Sequence, residues 1–427
     1  MSELPKGWIE AKFTDFLDVQ GGTQPPKSNF FEAYKDGLVR LLQIRDFSSD
    51  DKAIYIQDSH KWRKCDEKDV LIARYGASLG RILTGKCGAY NVALAKVVFS
   101  NDKFDRKFII YLLKTPFFQD PLSSTSRSAQ NGFNKEDLDR IFLPIAPLNE
   151  QRRIVAKLDS LFARSRLARE ELERIGGLCD RYRQAVLSAA TSGELSEDWQ
   201  NTEIQTVAKI GTGSTPLKSN SNYYSHTGTP WITSAATGRP FVDSASDFVT
   251  ESAISDHRLK KYPKGTLLVA MYGEGKTRGQ VTELRIEATI NQACAAIVVD
   301  ESLALKGYVR LSLQANYLEM RELAEGGNQP NLNLSKIKSF PLFLPPLHEQ
   351  QEIIQRVEKL FNAIAQIEQQ SKKALKLCDR LDQSILTKAF SGKLVPQDPT
   401  DEPAEVLLDR IRSEKQDPPK AKRKKTS

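Results

Sequence analysis

Two stretches of this chain carry small or apolar residues at alternating steps of four and three. The first lines up Ile154, Leu158, Leu161, Ser165, Ala168, Leu172, Ile175, Cys179, Tyr182 and Val186. The second lines up Ile353, Val357, Leu360, Ile364, Ile367, Ser371, Ala374, Cys378, Leu381 and Ile385, and Lys, Arg, Glu and Gln dominate between these positions. Such spacing is a heptad seam, and it predicts two long helices able to bury their stripes against each other. Each stretch opens after prolines (Pro144 and Pro147; Pro345 and Pro346) and closes at a glycine (Gly193; Gly392), as helix punctuation requires. Gly176-Gly177 interrupts the first where the second has Leu375-Lys376, which predicts a local bend there.

The two stretches are copies of each other. Pro147 to Leu195 aligns without a gap on Pro346 to Leu394 at an offset of 199, with 17 of 49 positions identical. The globular parts repeat more loosely. Gly22-Thr23-Gln24-Pro25 matches Gly213-Ser214-Thr215-Pro216 at an offset of 191, and Tyr75-Gly76 matches Tyr272-Gly273 at 197. Asn91-Val92-Ala93 then matches Asn291-Gln292-Ala293 at 200. Insertions therefore fall inside the globular parts while helix length is held.

Short β-like runs (Val70 to Ala73, Ala95 to Phe99, Thr266 to Ala270, Ala295 to Val299) alternate with Gly, Pro and Ser turns and a few helical stretches such as Arg106 to Lys114. Each globular part reads as α+β. The organisation expected is a first domain at 1–146, a helical spacer at 147–199, a second domain at 200–345, a second spacer at 346–399 and a basic tail at 400–427. A ~40-residue helix rises ~60 Å, too far for the short connection after the first helix to return to its start, so the pair is expected to run antiparallel with pseudo-two-fold symmetry.

Composition narrows the class. The net charge is +8, but Lys420, Lys422, Arg423, Lys424 and Lys425 lie in the tail, and without them 8 − 5 leaves +3. A nucleic-acid surface would therefore have to come from local patches. Cys65, Cys87, Cys179, Cys294 and Cys378 are odd in number and widely spaced, and the four histidines are scattered. Neither a disulfide framework nor a metal site is suggested. The N-terminus lacks a signal-peptide pattern and no apolar run approaches a membrane span, so a cytoplasmic location without membrane contact is expected.

With Pro147-Leu148-Asn149-Glu150-Gln151 and Pro346-Leu347-His348-Glu349-Gln350 opening the helices, Ser192-Gly193-Glu194-Leu195 and Ser391-Gly392-Lys393-Leu394 ending them, and Leu4-Pro5-Lys6-Gly7-Trp8 at the start, the chain resembles the specificity subunits of type I restriction-modification enzymes. The resemblance covers essentially everything before the tail. It implies two target-recognition domains, each reading one half of a bipartite, asymmetric double-stranded DNA site, and a helical spacer. It also implies docking to two methyltransferase subunits and to restriction/translocase subunits. S-adenosylmethionine, ATP and Mg would then belong to those partners, and this chain would carry neither cofactor nor catalysis. The assembled complex would methylate adenine N6 at its site and cut DNA at the expense of ATP.

Arg or Lys suits guanine, Asn or Gln suits adenine, and Ser, Thr and basic residues suit phosphates. On that ground the candidate DNA-binding residues are Lys27, Ser28, Arg45, Arg74, Tyr75, Ser78 and Arg81 in the first domain. In the second they are Lys218, Ser234, Thr237, Arg239, Tyr272, Lys276, Arg278 and Gln280. Gln130-Asn131 and Gln329-Pro330-Asn331 could face DNA or shape the turn back to the helix. Trp231 reads as core.

Two enzyme readings fail on the sequence. Gly273 to Thr277 ends in Gly-Lys-Thr like a phosphate loop, but Arg278-Gly279-Gln280-Val281 looks like a turn into a strand where a helix is needed. Asp417-Pro418-Pro419 is similar to the aromatic-ended tetrapeptide of amino-methyltransferases, yet Lys420 stands where a ring must stack the base. A coiled-coil scaffold without DNA binding would explain the helices and leave two divergent domains without a purpose. The tail from Glu402 reads as a short helix followed by a basic end that adds nonspecific DNA affinity at most.

Overall fold

The computed structural model describes residues 4–125, 132–193, 198–272, 277–317 and 332–416. They fall into two compact units, one formed by Met1–Glu171 with Ala374–Ser427 and the other by Leu172–Lys373. Chain order and unit membership thus differ: the first unit contains both the beginning and the end of the chain.

In the first unit the strands Asp18–Gly21, Leu94–Val98, Val70–Ala73 and Ile82–Leu83 form an antiparallel sheet in that order. Val70 to Ala73 is buried along its whole length, which is why it reads as a continuous apolar run with no alternation. A second sheet has the order Tyr55–Gln57, Leu38–Leu42, Gly88–Tyr90, Lys64–Cys65, with Leu38–Leu42 and Gly88–Tyr90 parallel. A two-stranded ribbon joins Ile9–Lys12 to Phe142–Ile145, tying the start of the domain to its end. The core between the ribbon, the first sheet and the helix Arg106–Leu112 holds Phe13, Phe16, Phe104, Phe108 and Phe118.

The second unit repeats this plan. Ala208–Thr212, Cys294–Val299, Leu267–Ala270, Val281–Leu284 and Phe241–Val242 form one sheet, and Tyr224–Ser225, Asp247–Val249, Thr229–Ile232 and Thr289–Ile290 the other. The parallel pairing recurs between Thr229–Ile232 and Thr289–Ile290, and Gln200–Glu203 pairs with Pro341–Leu344 as the closing ribbon. Both units are α+β. Close backbone approach fixes one shared residue type: a Cβ on Gly22 would lie 2.0 Å from the Asn91 carbonyl oxygen, and one on Gly213 would lie 1.6 Å from that of Ile290. The glycines matched at offset 191 are therefore sites where only hydrogen fits.

The long helices are α1 (Leu148–Thr191) and α2 (Leu347–Phe390). Their antiparallel course is fixed by contacts inside each unit. In the second unit Ser371 Oγ donates to Leu172 O at 2.9 Å while Arg183 grips Glu368 at 2.7 and 2.9 Å, so α2 numbers fall as α1 numbers rise. In the first, Arg169 pairs with Asp379 and with Asp382 (2.6 Å), and Ile154, Val155 and Leu158 share a core with Leu386, Ala389 and Phe390.

The seam differs from the heptad reading at five of the positions assigned to it. Ala168, Tyr182 (53 %), Leu360 (38 %), Ile367 (48 %) and Leu381 (55 %) are exposed. Ile154, Leu158, Cys179, Ile353, Val357 and Ile364 are buried, and Leu161, Leu172, Ile175 and Cys378 are half-buried. The covered line steps one residue forward, through Phe162, Arg169 and Arg183 on α1 and through Phe361, Glu368 and Asp382 on α2. From Ile154 to Ala190, and again from Ile353 to Ala389, ten steps cover 36 residues, which is the 3.6 period of a straight helix in place of the 3.5 of a supercoil. Gly176-Gly177 does not break the helix. α1 is continuous through both, and a Cβ on either would meet open space.

The tail helix is a working part of the first unit. Ala404–Gln416 buries Ala404, Leu407, Leu408 and Ile411 in the first unit's core, Ala404 N donates to Gly7 O at 2.9 Å, and Arg412 pairs with Asp15 at 3.0 Å. Among the described residues no helix is long and apolar enough to cross a membrane.

Candidate nucleic-acid interface

The motif that opens each long helix is a clamp between domain and helix. Trp8 Nε1 donates to Glu150 Oε2 at 2.9 Å, and Trp199 Nε1 donates to Glu349 Oε2 at 3.0 Å. Gln151, fully buried, donates from Nε2 to Ala146 O (2.9 Å) and accepts at Oε1 from Asp105 N (3.2 Å). Gln350 repeats this with Pro345 O (2.8 Å) and Leu305 N (2.7 Å). One side chain thus links the last strand of a domain to the start of its Arg106 or Lys306 helix. Burial pushes the Glu150 carboxyl up, opposed by the Gln397 and Trp8 donors.

Above the clamp, each unit builds a loop after its central strand on one backbone frame. Arg74 N donates to Ala93 O at 2.8 Å, and Met271 N to Ala293 O at 2.8 Å. Gly80 N donates to Ala73 O and Gly279 N to Ala270 O, both at 2.9 Å. Ala73 N donates to Arg81 O and Ala270 N to Gln280 O, both at 3.0 Å. Asn91 and Asn291 anchor the neighbouring turn alike, each donating its N–H to the parallel strand (Leu42 O, 3.1 Å; Ile232 O, 3.0 Å) and accepting from the alanine two residues on. These matches make Arg74 equivalent to Met271, Ser78 to Thr277 and Arg81 to Gln280. The frame repeats; the side chains on it do not.

In the first unit the candidates separate into two kinds. Lys27 and Ser28 are exposed on a single turn, Lys27–Asn29. Arg45 is exposed on the turn Ile44–Phe47, which buried Asp46 pins by accepting from Gln43 N at 2.6 Å. Burial raises the Asp46 carboxyl, while the Gln43 N–H and the cations of Arg40, Arg45 and Lys86 lower it. Arg81 is exposed and reaches Ser48 Oγ at 3.3 Å, so its loop stands beside the Arg45 turn. Arg74 is engaged internally: it donates to Phe133 O at 3.2 Å and its guanidinium lies 5.3 and 5.7 Å from the Tyr75 and Phe133 ring centres. Tyr75 and Ser78 are half-buried in the loop.

A groove of about 1120 Å³ opens beside this loop, lined by Ser78, Arg81, Lys107, Lys114, Asp159, Arg166 and Asp382 among others. Asp159 is answered by Lys107 (2.5 Å) and by the Tyr111 hydroxyl (2.6 Å), and Asp382 by Arg169, so the wall keeps a cationic surplus. Lys107, Lys114 and Arg166 were not candidates from the sequence, where surface cations on helices carry no distinguishing pattern.

In the second unit a smaller groove of about 380 Å³ brings Arg239 and Gln280 together with Gln184 and Gln314. Thr237 lines it but is 2 % exposed and donates its hydroxyl to Ser234 O at 2.7 Å, so it serves the turn Ser234–Gly238 and offers nothing to a ligand. Lys218 is exposed, Ser234 is half-buried, and Tyr272 packs against the core. Arg278 is half-buried, its Nε without a hydrogen-bond partner among the described residues. Lys276, Gln130-Asn131, Gln329-Pro330-Asn331 and Asp417-Pro418-Pro419 lie outside the described residues. Thr277 is followed by a turn and then the strand Val281–Leu284, with no helix to aim at a phosphate.

Matched frames carrying unmatched side chains define a duplicated recognition protein. The family model for the type I restriction modification DNA specificity domain matches this chain twice, at residues 5–176 and 196–377. The chain therefore belongs to the type I restriction-modification DNA specificity family, and its role is DNA sequence specificity alongside the other subunits of such a system. It is 29% identical to the EcoKI specificity subunit of Escherichia coli K12 over 97% of this chain and 96% of that relative. With the StySPI specificity subunit of Salmonella potsdam it shares 27%, over the same proportions. In fold it is similar to the HsdS subunit of Thermoanaerobacter tengcongensis (TM-score 0.57, 20% identity, 92% of this chain and 98% of that one). It is also similar to a chain from a structure describing assembly and conformational transition of the type I R-M system (TM-score 0.72, 20% identity, 92% and 100%).

Proposed function

We propose that each unit reads one half of a split, asymmetric DNA site, that the helix pair sets the spacing between the halves, and that the chain docks two methyltransferase subunits. Restriction/translocase subunits join that assembly in the cytoplasm. The observation that carries this reading is the shared loop frame with different side chains at equivalent points: Arg74 against Met271, and Arg81 against Gln280. A symmetric site would call for the same side chains twice; an asymmetric one calls for divergence on a common scaffold. The exposed apolar residues of the helices, Leu167, Leu178, Tyr182, Leu360, Ile367, Leu377 and Leu381, supply surface for the methyltransferase contacts. S-adenosylmethionine, ATP and Mg would be held by the partners, where adenine N6 methylation and ATP-dependent cleavage take place. Methylome sequencing of cells carrying this chain with its partner subunits tests the reading. A split motif methylated on adenine is the expected result, and a genome without such a motif would sink it.

A further inference from the structure

The loop that ends at Arg81 in the first unit and at Gln280 in the second holds these two residues on the same backbone bonds. The carbonyl of each accepts from the central strand (Ala73 N or Ala270 N, 3.0 Å), and the N–H of each closes the same tight turn, on Ser78 O at 3.0 Å and Thr277 O at 3.1 Å. Each stands one residue before the strand that follows its loop, Ile82–Leu83 in one unit and Val281–Leu284 in the other. Each also lines its unit's groove with a cation able to hold a phosphate, Lys114 in one and Arg239 in the other.

Neither side chain is consumed by the fold. Arg81 makes a long contact of 3.3 Å to Ser48 Oγ, and the Gln280 amide has no hydrogen-bond partner among the described residues. Arg74, seven residues earlier, behaves differently, since its guanidinium is spent on Phe133 O and two rings. Free planar forks on a hydrogen-bonded backbone are the groups that read base edges: guanidinium fits guanine O6 and N7, and a carboxamide fits adenine N6 and N7.

Resting on the proposed half-site reading, we infer that Arg81 and Gln280 are equivalent specificity-determining positions, Arg81 selecting a guanine in one half-site and Gln280 an adenine in the other. The chemistry is direct major-groove readout, with Lys114 and Arg239 positioning the adjoining phosphates.

The test is methylome sequencing of cells carrying the full complex with the wild-type chain, Arg81→Gln, Arg81→Lys or Gln280→Arg. Arg81→Gln is expected to change one base of one half-site and to lower methylation of the original motif roughly 5- to 150-fold, the equivalent of about 1–3 kcal/mol per bidentate base contact. Gln280→Arg is expected to change one base of the other half only. An unchanged motif in both variants overturns the inference. So does uniformly weaker methylation in Arg81→Gln that Arg81→Lys restores, because that pattern marks a phosphate contact. Absence of any split motif from the wild-type chain is a separate outcome, and it removes the half-site reading itself.

Discussion

Gln151 and Gln350 show how one buried side chain can make a sequence motif necessary. Each satisfies a carbonyl at the end of a domain and an N–H at the start of a helix, groups that lie far apart in sequence. Gln151→Ala would strand both the Asp105 N–H and the Ala146 carbonyl inside the protein. Each buried polar group left unpaired costs about 1–3 kcal/mol, so for the two a loss of roughly 2–6 kcal/mol is expected. Urea titration of the isolated chain checks this, and a loss below half a kcal/mol would mean water or a neighbour replaces the amide. The motif was legible in the sequence through its repetition; the reason for it was not. Nothing in Pro-Leu-x-Glu-Gln says that its glutamine faces inward, because glutamine is ordinarily a surface residue. Thr237 failed in the opposite direction. Its residue type suits a phosphate, but its hydroxyl is taken up by the Ser234 carbonyl three residues back, a local bond typical of Ser and Thr in turns.

At the scale of elements, apolar runs were the reliable signal. Val70 to Ala73 is a strand with those bounds, and Ala295 to Val299 lies within Cys294–Val299, since buried central strands need apolar residues on both faces. Gln200–Glu203 gave no such signal: its sequence is polar, and its pairing comes from Pro341–Leu344 across the ribbon. The helix seam was legible in place but misread in period. A 3.5 repeat selected Tyr182 and Ile367, whereas packing chose Arg183 and Glu368 one residue further on, which a search for apolar residues passes over. That ion pair gives the helices a pH dependence. The Arg183 guanidinium holds the Glu368 carboxyl below the usual carboxylate range. A depressed folded-state pKa means that the stabilisation is fully present above the ordinary glutamate pKa of about 4.3 and is lost as pH falls through the lower folded value. Between pH 6 and pH 3 the wild-type chain should therefore lose more stability than Glu368→Gln, by up to about 1 kcal/mol. Parallel thermal melts at the two pH values measure the difference, and equal losses would show that the pair contributes nothing.

For the whole molecule, the decisive feature is that the first unit is assembled from both ends of the chain. The sequence reads the tail from Glu402 as a short helix with a basic end, and the spacing of Ala404, Leu407, Leu408 and Ile411 marks one face of that helix without saying what covers it. In the fold that face is buried against Phe13 and its neighbours, with Arg153 holding Asp401 at 2.6 Å just before it. Among the described residues the second unit has no counterpart: the element that follows α1 is the strand Gln200–Glu203. Removing the helix should consequently affect the two units unequally. A chain ending at Glu402 would lose four core residues of the first unit, Ala404, Leu407, Leu408 and Ile411, and leave every residue of the second unit in place. A single substitution within that face, Leu408→Ala, would cost about 2–5 kcal/mol, as large-to-small changes in a packed core do. Hydrogen exchange read peptide by peptide is the suitable measurement. Protection is expected to fall across Phe13–Phe16 and Arg106–Leu112 while Leu267–Ala270 and Cys294–Val299 hold theirs, and equal loss in both sets would mean that the units unfold as one.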